Sequence, residues 1–318
     1  MKFDIVSVGS AVIDAFVYTD IPEIERKLCY PAGAKIQVKD IKFSTGGSGA
    51  NCAVGFARLG LKTGYIGKLG KDENGTRIVD ELKKENVVFL GHKSKETTGF
   101  SVVLDSREHE RTILTYRGAN DTLQLNEVPL KRFETKWFYF SSMSGESFST
   151  ETELSQLVIK QGIKIAFNPS SYITKKGVSF VRKLLKNVYV LILNDDEARD
   201  LVPRGDLFQG LLALGPRIVC ITQGKKGNTV SDGKHAFVSY PRPTKLVERT
   251  GAGDAFAAGF VSAFIKTNDI KFAMQVGSVN AESVIGIIGA KNGLMSWNKA
   301  LKEISQRPVR VTEKSIHH

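Results

Sequence analysis

The segment VERTGAGDAFAAGFVSAF, Val247–Phe264, decides how the rest of the chain is read. Three small residues, Gly251, Ala252 and Gly253, run into a single carboxylate, Asp254, and a long apolar stretch follows. Small residues let a backbone come close to a ligand. A helix opening there leaves its first N–H groups unpaired at the positive end of its dipole, which makes an anion site. Taken alone, Asp254 reads equally well as the N-cap of a buried helix. The segment predicts a helix over 253–266 and leaves both readings of its acid open.

A second glycine cluster stands far upstream, in STGGSGANCAVGFARLG, Ser44–Gly60. Gly46, Gly47 and Gly49 precede a predicted helix over 50–59. A dinucleotide fingerprint needs G-x-G-x-x-G, but counting from Gly47 the third glycine falls on Cys52. A P-loop fails as well. The GK pairs starting at Gly67, Gly70, Gly224 and Gly233 are followed by Leu69, Asp72, Lys226 and His235, never by Ser or Thr.

Between and around these clusters, short apolar runs alternate with amphipathic segments. Strands are predicted at 3–8, in TGYIGKLG, and at 137–142, 163–168, 189–194 and 218–222. Helices are predicted at 74–85, 151–161, 178–186, 195–201 and 270–288. Strands separated by helices of this size argue a mostly parallel sheet. Two segments break the rhythm. Residues 16–43 are helix-poor and proline-marked, and GFSVVLDSREHERTILTYRG reads as a hairpin turning at 106–110. The expected division is an α/β core of residues 1–15, 44–97 and 118–318, with a β lid of 16–43 and 98–117.

The chain has 318 residues, 42% hydrophobic and 25% charged, an ordinary composition for a globular protein. Its net charge of +12 is spread along the chain without a dense basic run, so neither nucleic acid nor membrane is expected as a partner. No apolar run is long enough to span a bilayer. The first residues read as a strand rather than a cleaved signal. Cys29, Cys52 and Cys220 form no CxxC pair, which argues against a disulfide framework or a zinc site and for a cytoplasmic location. His317 and His318 are compatible with a native end or the stub of a tag.

Asp14, GGSGAN and RTGAGDAFAAG, in this order, resemble the ribokinase (PfkB) family of small-molecule kinases over nearly the whole chain. Asn194-Asp195-Asp196-Glu197 matches that family's N-x-x-E motif, and ITQGKKG, Ile221–Gly227, is similar to its nucleotide-site strand and turn. The resemblance implies a three-layer ribokinase-like α/β fold with a mostly parallel sheet and a small β lid. It implies an ATP-dependent kinase acting on a sugar hydroxyl. Asp254 would be the catalytic base, and in the stretch of small residues Gly251, Ala252 and Gly253 that leads into it the N–H groups of Ala252, Gly253 and Asp254 would form an anion hole. Asp14, Gly46, Gly47, Asn51 and Arg117 would bind substrate. Asn194, Glu197, Thr222, Gly224, Gly227 and Asn280 would border ATP, with Glu197 reaching Mg²⁺ through water.

A helix N-terminus is expected to lower the pKa of Asp254, a weakness that a loose phosphoryl-transfer transition state tolerates. Three departures from the family bear on the substrate and on a cation. Ser48 stands where ribokinases proper often carry Lys, and Glu146 does not align with their sugar-binding Glu, so ribose is not assigned. Glu248 replaces the usual Asp before the signature threonine; its longer arm weakens the case for a monovalent cation such as potassium. A nucleoside kinase of the same fold is the alternative, and a non-catalytic ligand-binding protein a distant one. Pairing of two subunits through the lid stays open.

Overall fold

Runs such as IVSV, WFYFS and VLILN are apolar on both faces, the pattern of parallel strands covered on both sides. The computed structural model describes residues 1–25, 27–106, 111–244, 250–287 and 289–315 and places these runs at the centre of a ten-stranded sheet. We number its strands together with those of a second sheet: β1 (Ile5–Val8), β2 (Val12–Tyr18), β3 (Asp40–Gly46), β4 (Thr63–Ile66), β5 (Val87–Phe89), β6 (Gly99–Asp105) and β7 (Arg111–Tyr116). There follow β8 (Trp137–Ser141), β9 (Lys164–Asn168), β10 (Val190–Asn194), β11 (Ile218–Thr222), β12 (Asn228–Ser231), β13 (His235–Ser239) and β14 (Val311–Ser315). The large sheet has the order β14-β13-β12-β11-β10-β9-β8-β1-β4-β5. It is parallel from β5 to β11, and the last three strands add antiparallel.

Alternate residues of each strand feed two cores. Val6, Phe138, Phe140, Phe167 and Leu191 pack under α3 (Gly145–Ile159), α5 (Val178–Leu185), α6 (Asp195–Leu201) and α7 (Leu207–Ala213). Ile5, Tyr139, Val190 and Cys220 pack under α1 (Ser48–Arg58), α8 (Ala252–Thr267), α9 (Ile270–Ile285) and α10 (Trp297–Gln306). The architecture is therefore three-layered, as expected. α2 (Glu73–Lys84) covers the β4–β5 side with Ile78 and Leu82. The one-turn helix α4 (Ser171–Thr174) follows β9.

The second sheet has the order β7-β6-β2-β3. β6 and β7 form the expected antiparallel hairpin, whose turn at 107–110 lies outside the described residues. The boundaries expected at 15/16 and 43/44 fall inside β2 and β3. β2 starts only four residues after β1 ends, so IVSVGSAVIDAFVY reads as one run although the chain changes sheet within it. Asp14 consequently sits mid-strand in the second sheet, opposite Ser44 on one side and Ser101 on the other.

Candidate active site

α8 begins with the left-handed Gly251 as its N-cap, at φ 82°. A Cβ there would lie 2.7 Å from the Cα, Cβ and O of Ala290, so only glycine fits by conformation and by space. Among the described residues no side chain caps the helix, and a Cβ on Gly253 would meet nothing within 4 Å. At Gly253 the first turn of α8 thus opens to free space, and among the described residues its amides have no side-chain cap. Asp254 is the third helical residue and not the N-cap, which removes the simple capping reading.

Both oxygens of Asp254 are held by the start of α1. Ser48 Oγ donates to Oδ1 at 2.5 Å, and Asn51 Nδ2 donates to Oδ2 at 2.8 Å. The Cys52 thiol faces the Asp254 carbonyl at 3.5 Å, and fully buried Tyr139 lies behind. Asn51 Oδ1 is buried without a partner among the described residues. The sequence-based expectation of a lowered Asp254 pKa is corrected: withdrawal from water raises it, and the bonds from Ser48, Asn51 and Cys52 only partly offset this. The residue keeps some exposed surface, but its carboxylate is enclosed by these neighbours.

Asp14 stands over the turn leading into α1. A Cβ on Gly46 would lie 2.0 Å from Asp14 Oδ2, so glycine there leaves the acid its room. Burial raises the Asp14 pKa, against a bond from Ser101 and the charge of Lys291. Gly47 is the N-cap of α1. Asp14, Gly46, Gly47, Asn51 and Asp254 are thereby linked through one turn, β3 into α1.

Asn194 and Glu197 form a reciprocal capping box at the start of α6. Asn194 Oδ1 accepts from the Glu197 amide, and Glu197 Oε2 accepts from the Asn194 amide, both at 2.9 Å. The N-x-x-E spacing therefore has a structural role of its own. Thr222 pairs with Asn194 at the carboxyl ends of β11 and β10, and Gly224 and Gly227 shape the turn beyond. Ligands of open parallel sheets bind outside such strand ends. Burial raises the Glu197 pKa against the bonds that its carboxylate accepts. Among the described residues, no group of three or more His, Cys, Asp or Glu is placed to hold a metal.

Asn280 is a correction. It is fully buried in α9, donating to the Ala255 carbonyl at 2.7 Å and accepting from the Met295 amide at 2.9 Å. One donor and one acceptor of its amide are used inside the protein and the residue has no exposed surface, so it anchors α8 and offers no face to an adenine here. Arg117 stacks 4.5 Å over the ring of Tyr172 and lies 3.8 Å from Asp121. Glu248, His317 and His318 lie outside the described residues. A surface groove of about 830 Å³ runs along α2 past Asp72, Arg77 and Glu81, and it holds none of the motif residues.

The model of the pfkB family carbohydrate kinases matches residues 2–297. The chain belongs to this family. A 5-dehydro-2-deoxygluconokinase of Clostridium perfringens is 31% identical, covering 89% of this chain and 87% of its own. The Bacillus subtilis ribokinase is 28% identical, covering 86% and 92%. A ribokinase of Arabidopsis thaliana, solved with ribose and ATP, superposes with a TM-score of 0.81 at 22% identity, over 95% of this chain and 98% of that one, and shares the fold. This pfkB-family member is a carbohydrate kinase, a phosphotransferase with an alcohol group as acceptor. Among the described residues, no helix is long and apolar enough to cross a membrane.

Sequence reasoning on this kinase misses several groups around its acids. Ser48 stands out in the sequence only as a substitution, although its hydroxyl lies directly on Asp254. Thr45, Glu81 and Lys291 carry no motif at all. Their meeting depends on tertiary contacts between β3, α2 and the loop after α9.

Proposed function

We propose that this kinase transfers the γ-phosphoryl group of ATP to a hydroxyl of a sugar or sugar acid, with Asp254 as the base. The observation that carries the reading is the clamp on Asp254: two donors aim its carboxylate beside uncapped helix amides that face open space. The acceptor O–H lies against Asp254 and gives it the proton. The freed oxygen bonds to the γ-phosphorus as the bond to the ADP oxygen breaks. The amides of Ala252, Gly253 and Asp254 hold the moving charge. A raised pKa makes Asp254 a stronger base than an exposed aspartate.

Asp14 accepts from two sugar hydroxyls, and the unpaired Asn51 Oδ1 accepts from another. Arg117, held at the end of the second sheet, suits the carboxylate of a sugar acid, and a 5-dehydro-2-deoxygluconokinase stands among the relatives. The uncapped start of α8 fits the phosphates of ATP, and Asn194, Thr222, Gly224 and Gly227 border the nucleotide. Glu197, with one oxygen committed to its cap, would hold through water the Mg²⁺ that comes with ATP and would neutralise phosphate charge.

The second sheet closes over the sugar and excludes water. Its edge strands carry exposed Ile41, Phe43, Ile113, Leu114 and Tyr116, a surface on which two subunits would pair. ADP release measured against a panel of pentoses, hexoses, sugar acids and nucleosides tests the assignment. Release stimulated by sugars or sugar acids is expected. Stimulation by nucleosides alone overturns the substrate class, and no stimulation by any compound removes the proposed activity.

A further inference from the structure

Lys291 lies in the loop between α9 and α10 and is 6% exposed. Its ammonium is 2.5 Å from Glu81 Oε1 and donates to Thr45 Oγ1. Thr45 in turn donates to Glu81 Oε2. The triangle joins β3, α2 and the loop after α9, three pieces remote in sequence. α2 is itself braced, because Glu85, one turn beyond Glu81, takes a two-pronged bond from Arg58 of α1 at 2.7 and 2.8 Å. The same Arg58 donates to the Lys291 carbonyl at 2.9 Å.

Each end of this bridge stops one residue short of the candidate active site. Thr45 precedes Gly46, whose missing side chain leaves room for Asp14. Lys291 follows Ala290, which packs against Gly251 at the start of α8. A buried ammonium is costly to separate from its carboxylate, so the bridge stays closed or fails as a unit. We propose that Lys291 is a positioning residue: through Glu81 and Thr45 it sets the strand carrying Asp14 against the turn that opens α8. Substrate hydroxyl and phosphoryl group then meet at the right angle and distance. This rests on the kinase reading above.

The test compares the full-length chain with Lys291→Met, which keeps the length and removes the charge. Hydrogen exchange without any ligand should accelerate together in 12–18, 40–46 and 251–256, while 164–168 and 190–194 stay unchanged. On the panel sugar that wild type phosphorylates best, kcat should fall on the order of 10²-fold, as misplacement costs. The ATP KM should hold. The ratio of sugar phosphate formed to ADP released should drop, because water now competes. Lys291→Arg should restore most of the turnover. Should Lys291→Met not fold, Thr45→Val opens one side of the triangle and should give the same pattern at smaller amplitude.

Faster exchange in only one of the two regions, or uniformly along the chain, overturns the proposal. So does a parallel fall of sugar phosphate and ADP, which a merely structural brace would give. If wild type phosphorylates none of the panel, the substrate assignment fails, and the exchange pattern alone judges the bridge.

Discussion

Asp254 at the start of α8 and Glu151 in the middle of α3 are both drawn out of water, and burial raises the pKa of each. Their surroundings differ completely. Asp254 receives donors on both oxygens and stands beside an uncapped helix end. Glu151 is fully buried, and neither of its oxygens has a partner among the described residues. Desolvation alone therefore does not mark a site. Donors that hold the charged form, with open space for a reactant, turn a shifted acid into a usable base. Glu151 lacks both, and its burial only favours the neutral form.

The contrast breaks most sharply at Asp254. Asp254→Asn should lower kcat roughly 10²–10⁴-fold, the usual loss for a general base. ATP affinity, measured by calorimetry, should change little. A variant that keeps more than about a tenth of the wild-type kcat would mean that this carboxylate takes no proton. Glu151→Gln in the same assay should leave kcat unchanged.

Asp14 sharpens the comparison from a third environment, a strand of the second sheet. Asp14→Ala should raise the sugar KM roughly 10- to 100-fold, the loss of hydrogen bonds to a charged group. The ATP KM should move far less. Equal rises in both, or a rise for ATP alone, would take Asp14 out of the sugar site.

How much of this arrangement is legible in the sequence depends on where the information lies. The strands around Phe140, Phe167 and Leu191 announce themselves because a strand buried on both faces must be apolar throughout. Gly251 and Asp254 are visible because a backbone in the left-handed region, pressed on Ala290, leaves a sequence trace. The border between the two sheets leaves none, since β1 and β2 are both apolar and only three residues part them. Asn280 misleads for a related reason. A buried amide that ties two helices looks, in sequence, like one that meets a ligand. The sign of the Asp254 shift escapes sequence reasoning because the helix dipole is a local property, whereas the enclosure by α1 and Tyr139 comes from the tertiary fold.

A smaller effect should come from the donor side of the clamp. Asp254 must be ionised to accept a proton, so the acid limb of kcat/KM reports its pKa, which should lie above the ordinary aspartate range. The Ser48 hydroxyl favours the charged form and lowers that pKa. Ser48→Ala should therefore move the acid limb to higher pH while kcat on the plateau falls by less than about tenfold. A limb that stays in place would show that Ser48 does not tune the base.

The smallest effect on catalysis, and the one that isolates burial from chemistry, belongs to Glu151. In the unfolded chain this glutamate ionises in its ordinary range; in the folded chain burial keeps it protonated to higher pH. At low pH both states hold the proton and folding carries no penalty. As pH rises past the ordinary glutamate range, the unfolded state gains charge that the folded state cannot match. Stability is then lost by about 1.4 kcal/mol per pH unit until the buried group also ionises. Glu151→Met, of similar shape and uncharged, should escape this loss. Its melting temperature should exceed that of wild type by a margin that is small near pH 4.5 and widens toward pH 7, with kcat unaltered. A margin independent of pH would mean that Glu151 is not held neutral by the fold. A loss of activity would mean that it belongs to the site after all.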